Sequence, residues 1–135
     1  MRLQLALNVK DLEASIEYYQ KLFGVEVAKR KPGYANFEVA EPALKLVLFE
    51  GDGDDRLNHL GVEVFDDEII KNTAQRQQAV GLDVNLTEKE GCCFASQNKA
   101  VSYAPDGTMW EWYRKLDDLE GFADNQPQTS AMGCC

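Results

Sequence analysis

Gln4-Leu5-Ala6-Leu7-Asn8-Val9-Lys10-Asp11 and His59-Leu60-Gly61-Val62-Glu63-Val64-Phe65-Asp66 lie over one another at a constant offset of 55 residues. Each stretch interleaves branched aliphatic residues with polar or small ones, and each ends on an aspartate. A matched pair of this kind marks an internal duplication, and a duplication sets the whole fold. The match continues downstream: Phe23-Gly24-Val25-Glu26-Val27 resembles Val80-Gly81-Leu82-Asp83-Val84 at an offset of 57, and Lys31-Pro32-Gly33 lies over Lys89-Glu90-Gly91 at 58. Drift of this size is what short loop insertions produce.

Each half reads as the same run of elements. Leu3, Leu5, Leu7 and Val9 alternate with Gln4, Ala6 and Asn8, the period of a half-buried strand. Asp11 is placed to cap the following helix, and Gly24 to end it in the left-handed conformation. Leu12, Ile16, Tyr19, Leu22 and Phe23 follow helical spacing and predict one apolar face. Three strands are then expected, at about Val25–Arg30, Tyr34–Val39 and Leu44–Phe49, with Gly and Pro between them. The second half predicts a strand at Leu57–Val64 and a helix at about Asp67–Val80. Later strands are expected near Leu82–Leu86, Cys92–Ala95, Val101–Ala104 and Thr108–Tyr113, with Pro105-Asp106-Gly107 as the turn before the last.

The expected architecture is α+β: two tandem βαβββ modules forming a cupped mixed sheet, with helices outside and a metal cleft inside. Residues 1–114 make one domain, with module 1 at about 1–55 and module 2 at about 56–114. Apolar periodicity fails after Arg114, so residues 115–135 are expected to form a mobile C-terminal tail.

The composition narrows the function. Among 135 residues the net charge is −9, the wrong sign for a phosphate-binding surface, which argues against nucleic acid and anionic membrane as partners. No apolar run approaches the roughly 20 residues that span a bilayer. The chain opens on a patterned strand with no charged-then-apolar leader, so a cytoplasmic location is expected. The four cysteines fall in two adjacent pairs, Cys92-Cys93 and Cys134-Cys135. That is not the spacing of a disulfide framework, whereas neighbouring thiols suit soft, thiophilic ligands.

Alternation places His59 with Gly61 and Glu63 on one strand face, opposite Leu60, Val62 and Val64. Gln4 holds the equivalent register in the first half. Glu111 alternates with Trp110 and Trp112 and faces away from them. Overlaying Ala43-Leu44-Lys45-Leu46-Val47 on Gly107-Thr108-Met109-Trp110-Glu111 puts Val47, which cannot coordinate, where Glu111 stands. Gln4, His59 and Glu111 thus form a candidate three-ligand set with open positions, the catalytic type of metal site. Imidazole with carboxylate suits iron(II), manganese, nickel or zinc without choosing among them. Tyr34, Tyr103 and Tyr113 are read as core or rim residues, and none is assigned as acid or base.

At these residues the chain resembles a known superfamily. Gln4 through Leu12, Tyr18-Tyr19 with Leu22-Phe23-Gly24, Asn58-His59-Leu60-Gly61-Val62 and Pro105-Asp106-Gly107 with Glu111 look like the vicinal-oxygen-chelate (glyoxalase/bleomycin resistance/extradiol dioxygenase) superfamily. The resemblance covers roughly the first 114 residues and implies paired βαβββ modules around a divalent metal. Many members have His where this sequence has Gln4. Within the superfamily, Gly91-Cys92-Cys93-Phe94-Ala95, Lys31 through Phe37 and Leu44 through Phe49 resemble the organoarsenical carbon–arsenic lyase branch and its cadmium-induced relatives.

That likeness implies a non-haem iron(II)-dependent dioxygenase-type lyase. Such an enzyme breaks the carbon–arsenic bond of trivalent methyl- or aryl-arsenicals, with O2 as co-substrate, and releases arsenite. It implies Gln4, His59 and Glu111 as Fe2+ ligands, with Zn2+, Mn2+ and Ni2+ as alternatives, and Cys92 and Cys93 as the substrate-binding thiols. Two neighbouring thiolates fill both exchangeable positions of a monosubstituted arsenical and hold its organic group in place. Adjacent side chains on a regular strand point to opposite faces, so the pair needs an irregular segment; Gly91 and a turn at Gln97-Asn98-Lys99 would supply one. Cys134 and Cys135 are candidates for substrate capture. The alternatives are a non-enzymatic, thiol-based cadmium- or arsenite-binding protein and a glyoxalase-like metal-dependent resistance enzyme. A monomer or a homodimer is compatible with a duplication that carries a full ligand set in one chain.

Overall fold

The computed structural model describes residues 1–92 and 95–118, without the side chains of Glu90, Cys92 and Asp118. Among these residues are eight strands and two helices, in the order β1 (Arg2–Val9), α1 (Leu12–Phe23), β2 (Lys29–Lys31), β3 (Tyr34–Val39), β4 (Leu44–Glu50), β5 (Leu57–Glu63), α2 (Asp67–Ala79), β6 (Asn85–Cys92), β7 (Ala95–Tyr103) and β8 (Met109–Asp118). The chain divides into two compact units, Arg2–His59 and the segment from Leu60 onward, which also includes Met1. The order βαβββ occurs twice, as the duplication predicts.

In the first unit β2 pairs antiparallel with β3, β3 antiparallel with β4, and β4 parallel with β1. The parallel return requires a crossover, and α1 is part of it. Asp11 caps α1 by accepting from the Ala14 N–H at 3.0 Å. Gly24 ends the helix at φ 66°, where a side chain would be strained, and its N–H donates to the Gln20 carbonyl. Leu12 and Ile16 from α1 pack with Ala35, Phe37, Val39, Leu46 and Leu48, and Leu5, Leu7, Tyr19 and Phe23 close around them. Burial of each large side chain contributes roughly 1.5–3 kcal/mol.

The second unit repeats the plan. β5 pairs parallel with β8, β8 antiparallel with β7, and β7 antiparallel with β6. Asp66, the counterpart of Asp11, caps α2 by accepting from the Glu68 N–H at 2.9 Å. The helix side of this sheet holds Val64, Ile70, Ala74, Val84 and Ala100, with Val62 and Trp112 against them. Register repeats down to single residues: Ala6 pairs with Val47 in the first unit, and Gly61 with Glu111 in the second.

Several boundaries differ from the sequence expectation. Of Val25–Arg30 only residues from Lys29 onward are strand, because Val25 and Val27 instead pack into the core. Leu22 is exposed, because the stripe of α1 that packs on the sheet runs through Leu12, Ile16, Tyr19 and Phe23 and leaves Leu22 beside it. β6 starts at Asn85 rather than Leu82, at the point where pairing with Val101 begins. The expected turn at Gln97-Asn98-Lys99 is strand, paired with β8 throughout and with β6 at Gln97 and Lys99, with the register shifting opposite it between Thr87 and Glu90 and beside it between Ser96 and Gln97. β8 runs on through 115–118, past the expected start of the tail, because Lys115, Asp117 and Asp118 pair with Gln97, Ser96 and Ala95. The rest of the tail, 119–135, lies outside the described residues. No described helix is long and apolar enough to cross a membrane.

Candidate metal and substrate site

Each sheet has two unlike faces. The face toward its helix is apolar, and the opposite face carries polar residues that are nonetheless buried. In the first unit that face presents Gln4 on β1, Tyr34 and Asn36 on β3, and Lys45 on β4, each at most 5% exposed. Asn36 Nδ2 donates to the Tyr34 hydroxyl at 3.0 Å. Gln4 pairs in register with Lys45. Its amide is fully buried, and neither Oε1 nor Nε2 makes a hydrogen bond. An amide in that condition costs about 1–3 kcal/mol, which a coordinated cation at the oxygen would offset.

His59, the one histidine of the chain, is fully buried at the end of the same unit. Its Nδ1 lies 2.8 Å from Asn58 Oδ1, and Asn58 Nδ2 donates in turn to Asn8 Oδ1 at 2.9 Å.

In the second unit the corresponding face carries Glu63 on β5, Gln97 and Lys99 on β7, and Glu111 and Tyr113 on β8, all at most 4% exposed. Lys99 Nζ donates to Glu111 Oε2 at 3.4 Å. The Tyr113 hydroxyl donates to Glu63 Oε2 at 3.3 Å. Gln97, like Gln4, is buried with both amide atoms unbonded. Among the described residues no three His, Cys, Asp or Glu side chains cluster. The triad read from the sequence contains only two of those residue types, its third member being the amide of Gln4.

All three predicted ligands are therefore buried on the polar, non-helix faces. Of the predicted thiols, only the backbone of Cys92 is described: it closes β6 and pairs with Ala95, the first residue of β7. The Cys92 side chain, Cys93, Cys134 and Cys135 lie outside the described residues. Of the three tyrosines, Tyr34 and Tyr113 are buried and Tyr103 is exposed. Lys99 and Gln97 are not among the residues expected from the sequence, because Gln97-Asn98-Lys99 reads as a turn. Their two-residue spacing, matched to Glu111 and Tyr113 on the next strand, is the signal that could have found them.

The chain matches the model of the Glyoxalase/Bleomycin resistance protein/Dioxygenase superfamily over residues 3–112. It is 48% identical to a protein of Thermomonospora curvata named trivalent organoarsenical cleaving enzyme, over 99% of this chain and 87% of that protein. It is 52% identical to the cadmium-induced protein CadI of Mycobacterium tuberculosis, over 99% of this chain and 92% of that protein. Among solved structures, the 2,3-dioxygenase LapB from Pseudomonas sp. KL28 superposes with a TM-score of 0.65 at 17% identity, over 96% of this chain and 44% of that chain. At that identity the likeness speaks for the fold alone. With a repeated βαβββ unit and a family match across nearly the whole described chain, this protein belongs to the glyoxalase/bleomycin resistance protein/dioxygenase superfamily.

Proposed function

We propose that the chain is an iron(II)- and O2-dependent enzyme that cleaves the carbon–arsenic bond of trivalent organoarsenicals and releases arsenite in a reducing cytosol. Gln4, His59 and Glu111 hold the metal. The observation that carries this reading is the amide of Gln4, fully buried and without a hydrogen bond at either atom, in the register that His59 repeats.

The donor set fits a divalent cation of borderline character: an amide oxygen, an imidazole nitrogen and a carboxylate. Iron(II), when bound, supplies the redox chemistry with O2 that amino-acid side chains lack. The chain's own residues do the remaining work. Cys92 and Cys93, as thiolates, displace the two exchangeable groups of the arsenical and fix its organic group, making the reaction effectively intramolecular. The Lys99 ammonium compensates the Glu111 carboxylate, so that a buried anion is tolerated before the metal arrives. The organoarsenical-cleaving name of the relative from T. curvata supports the choice of substrate.

The test is arsenite release from methylarsenite with iron(II), in air and under strict anaerobiosis, for the wild type, Cys92→Ser and Glu111→Ala. Turnover should require O2 and fall to background in both variants. Undiminished anaerobic turnover would sink the proposal.

A second reading, thiol-based sequestration of cadmium or arsenite, is favoured by the 52% identity to a protein named as cadmium-induced. It predicts stoichiometric cadmium binding that survives His59→Ala and Glu111→Ala together but is lost in Cys92→Ser.

A further inference from the structure

The first unit contains a chain of side-chain hydrogen bonds that begins on a backbone carbonyl and ends on the His59 ring. Asn8 Nδ2 donates to the Asp55 carbonyl at 3.0 Å. Asn58 Nδ2 donates to Asn8 Oδ1 at 2.9 Å, and Asn58 Oδ1 stands 2.8 Å from His59 Nδ1. The Asn8 backbone is held as well, its N–H donating to the Arg56 carbonyl at 2.7 Å.

The polarity of this chain follows from its first link. A peptide carbonyl only accepts, so the end of the Asn8 amide that meets Asp55 is the NH2 group. The oxygen of Asn8 then faces Asn58, which must answer with its own NH2 group. That leaves the Asn58 oxygen toward the imidazole. An oxygen acceptor 2.8 Å from a ring nitrogen requires that nitrogen to carry the proton. No amide in the series can turn over without setting two acceptors or two donors face to face.

We infer that Asn8 and Asn58 are positioning residues that lock neutral His59 in the Nδ1–H tautomer, so that its lone pair is on Nε2. The tautomer stands on the hydrogen bonds alone; its consequence for metal binding rests on the reading of His59 as a ligand. A metal-binding imidazole is oriented and tuned by the partner of its other nitrogen. Here that partner is a neutral amide, itself aimed by a second amide and a carbonyl. The duplication supplies a contrast. Gln4, at the register of His59, follows Leu3, which offers no acceptor. A glutamine has no tautomer to set.

A single histidine makes the test unambiguous, because the imidazole region of a ¹⁵N spectrum then contains one ring. Long-range ¹H–¹⁵N correlation on the metal-free, full-length protein at alkaline pH should show a protonated Nδ1 and an unprotonated Nε2. Asn58→Leu and Asn8→Leu should each shift the ring toward the other tautomer. Asn58→Asp should keep Nδ1 protonated, even combined with Asn8→Leu, because a carboxylate accepts in any orientation. Manganese(II) affinity, measured by equilibrium dialysis, should fall by roughly 10–100-fold in Asn58→Leu and be retained in Asn58→Asp.

An Nε2–H ring in the wild type, or a tautomer indifferent to Asn58→Leu, overturns the inference. If the tautomer shifts as expected but metal affinity stays at the wild-type value, the lock stands and the assignment of His59 as a ligand falls. Should Asn58→Leu fail to fold, Asn8→Leu against the double variant Asn8→Leu/Asn58→Asp makes the same comparison.

Discussion

Lys99 Nζ stands 3.4 Å from Glu111 Oε2, and the two side chains are 3% and 0% exposed. They come from neighbouring antiparallel strands, two positions apart along β8 once the register is counted, since Lys99 pairs with Tyr113 and Glu111 with Val101. Removing two charges from water costs more than most ion pairs return, so a buried pair is weak evidence for stability in itself. It is strong evidence that neither charge is tolerated alone.

Lys99→Met should therefore destabilise the metal-free protein by about 3–5 kcal/mol, the range for stripping one partner from a buried pair. Urea unfolding in the presence of a chelator measures it. The double variant Lys99→Met/Glu111→Leu should recover most of the loss, because no charge is left buried there. A loss below about 1 kcal/mol for Lys99→Met would mean that Lys99 is not what makes the carboxylate tolerable.

Asp106 offers a pH-dependent contribution with a definite sign. Its Oδ1 accepts from the Thr108 N–H at 2.9 Å in the turn before β8. That backbone hydrogen bond, the largest cause, holds the carboxyl below its ordinary 3.8. A carboxyl depressed in the folded state contributes stability that is fully present above the unfolded value and is lost as pH falls through the folded one. The wild type should thus lose stability relative to Asp106→Asn as pH falls below about 3.8, and the two should run parallel above it. Acid titration followed by circular dichroism, with the Asp106 carboxyl carbon followed by NMR, checks both.

How much was legible in the sequence depended on what each strand faces. β1 and β5 were readable because their helix-facing residues are aliphatic and their register repeats at one offset. The end signals of α1 at Asp11 and Gly24 were readable because capping is local chemistry. The same alternation put Gln4, His59 and Glu111 on the face away from the helices, while the burial of that face is seen only in the structure. β7 was readable only at its end, where a strand is expected from Val101, and its middle was not. Gln97 and Lys99 face the polar side, and Asn98, on the other side, donates to Asp67 at 2.9 Å and accepts from the Lys89 N–H at 2.8 Å. With partners of that kind on the helix side, a polar tripeptide is stable as strand while showing no apolar period, and it imitates a turn. The relay from Asp55 to His59 was equally hidden, since it joins residues 47 positions apart in its first link through a carbonyl that any residue could supply.

Gln4→Leu separates stability from binding. Replacing an unbonded buried amide by a hydrocarbon of similar volume removes a desolvation cost of about 1–3 kcal/mol. The metal-free variant should be more stable than the wild type by that order in urea unfolding. Its affinity for manganese(II), read by equilibrium dialysis, should fall at least tenfold, because leucine offers no donor. A variant that is less stable, or that binds metal as tightly, would show that the amide of Gln4 serves the fold rather than the cation.

Gln97 presents the same physical problem with a different expected outcome. Its amide is 1% exposed and unbonded, and its strand face is shared with Lys99. Unlike Gln4, it does not hold a register that the duplication matches to His59. Gln97→Leu should raise the stability of the metal-free protein by about 1–3 kcal/mol and leave manganese(II) affinity unchanged. If the buried amide is retained to hydrogen-bond the organic group of the arsenical, KM for methylarsenite and for a phenyl arsenical bearing polar ring substituents should respond differently. The polar-substituted substrate should lose more, since a site built to pair with a polar group discriminates strongly once that pairing is gone. Equal changes for both substrates would assign Gln97 to the strand alone, and the gain in stability would then come at no functional cost.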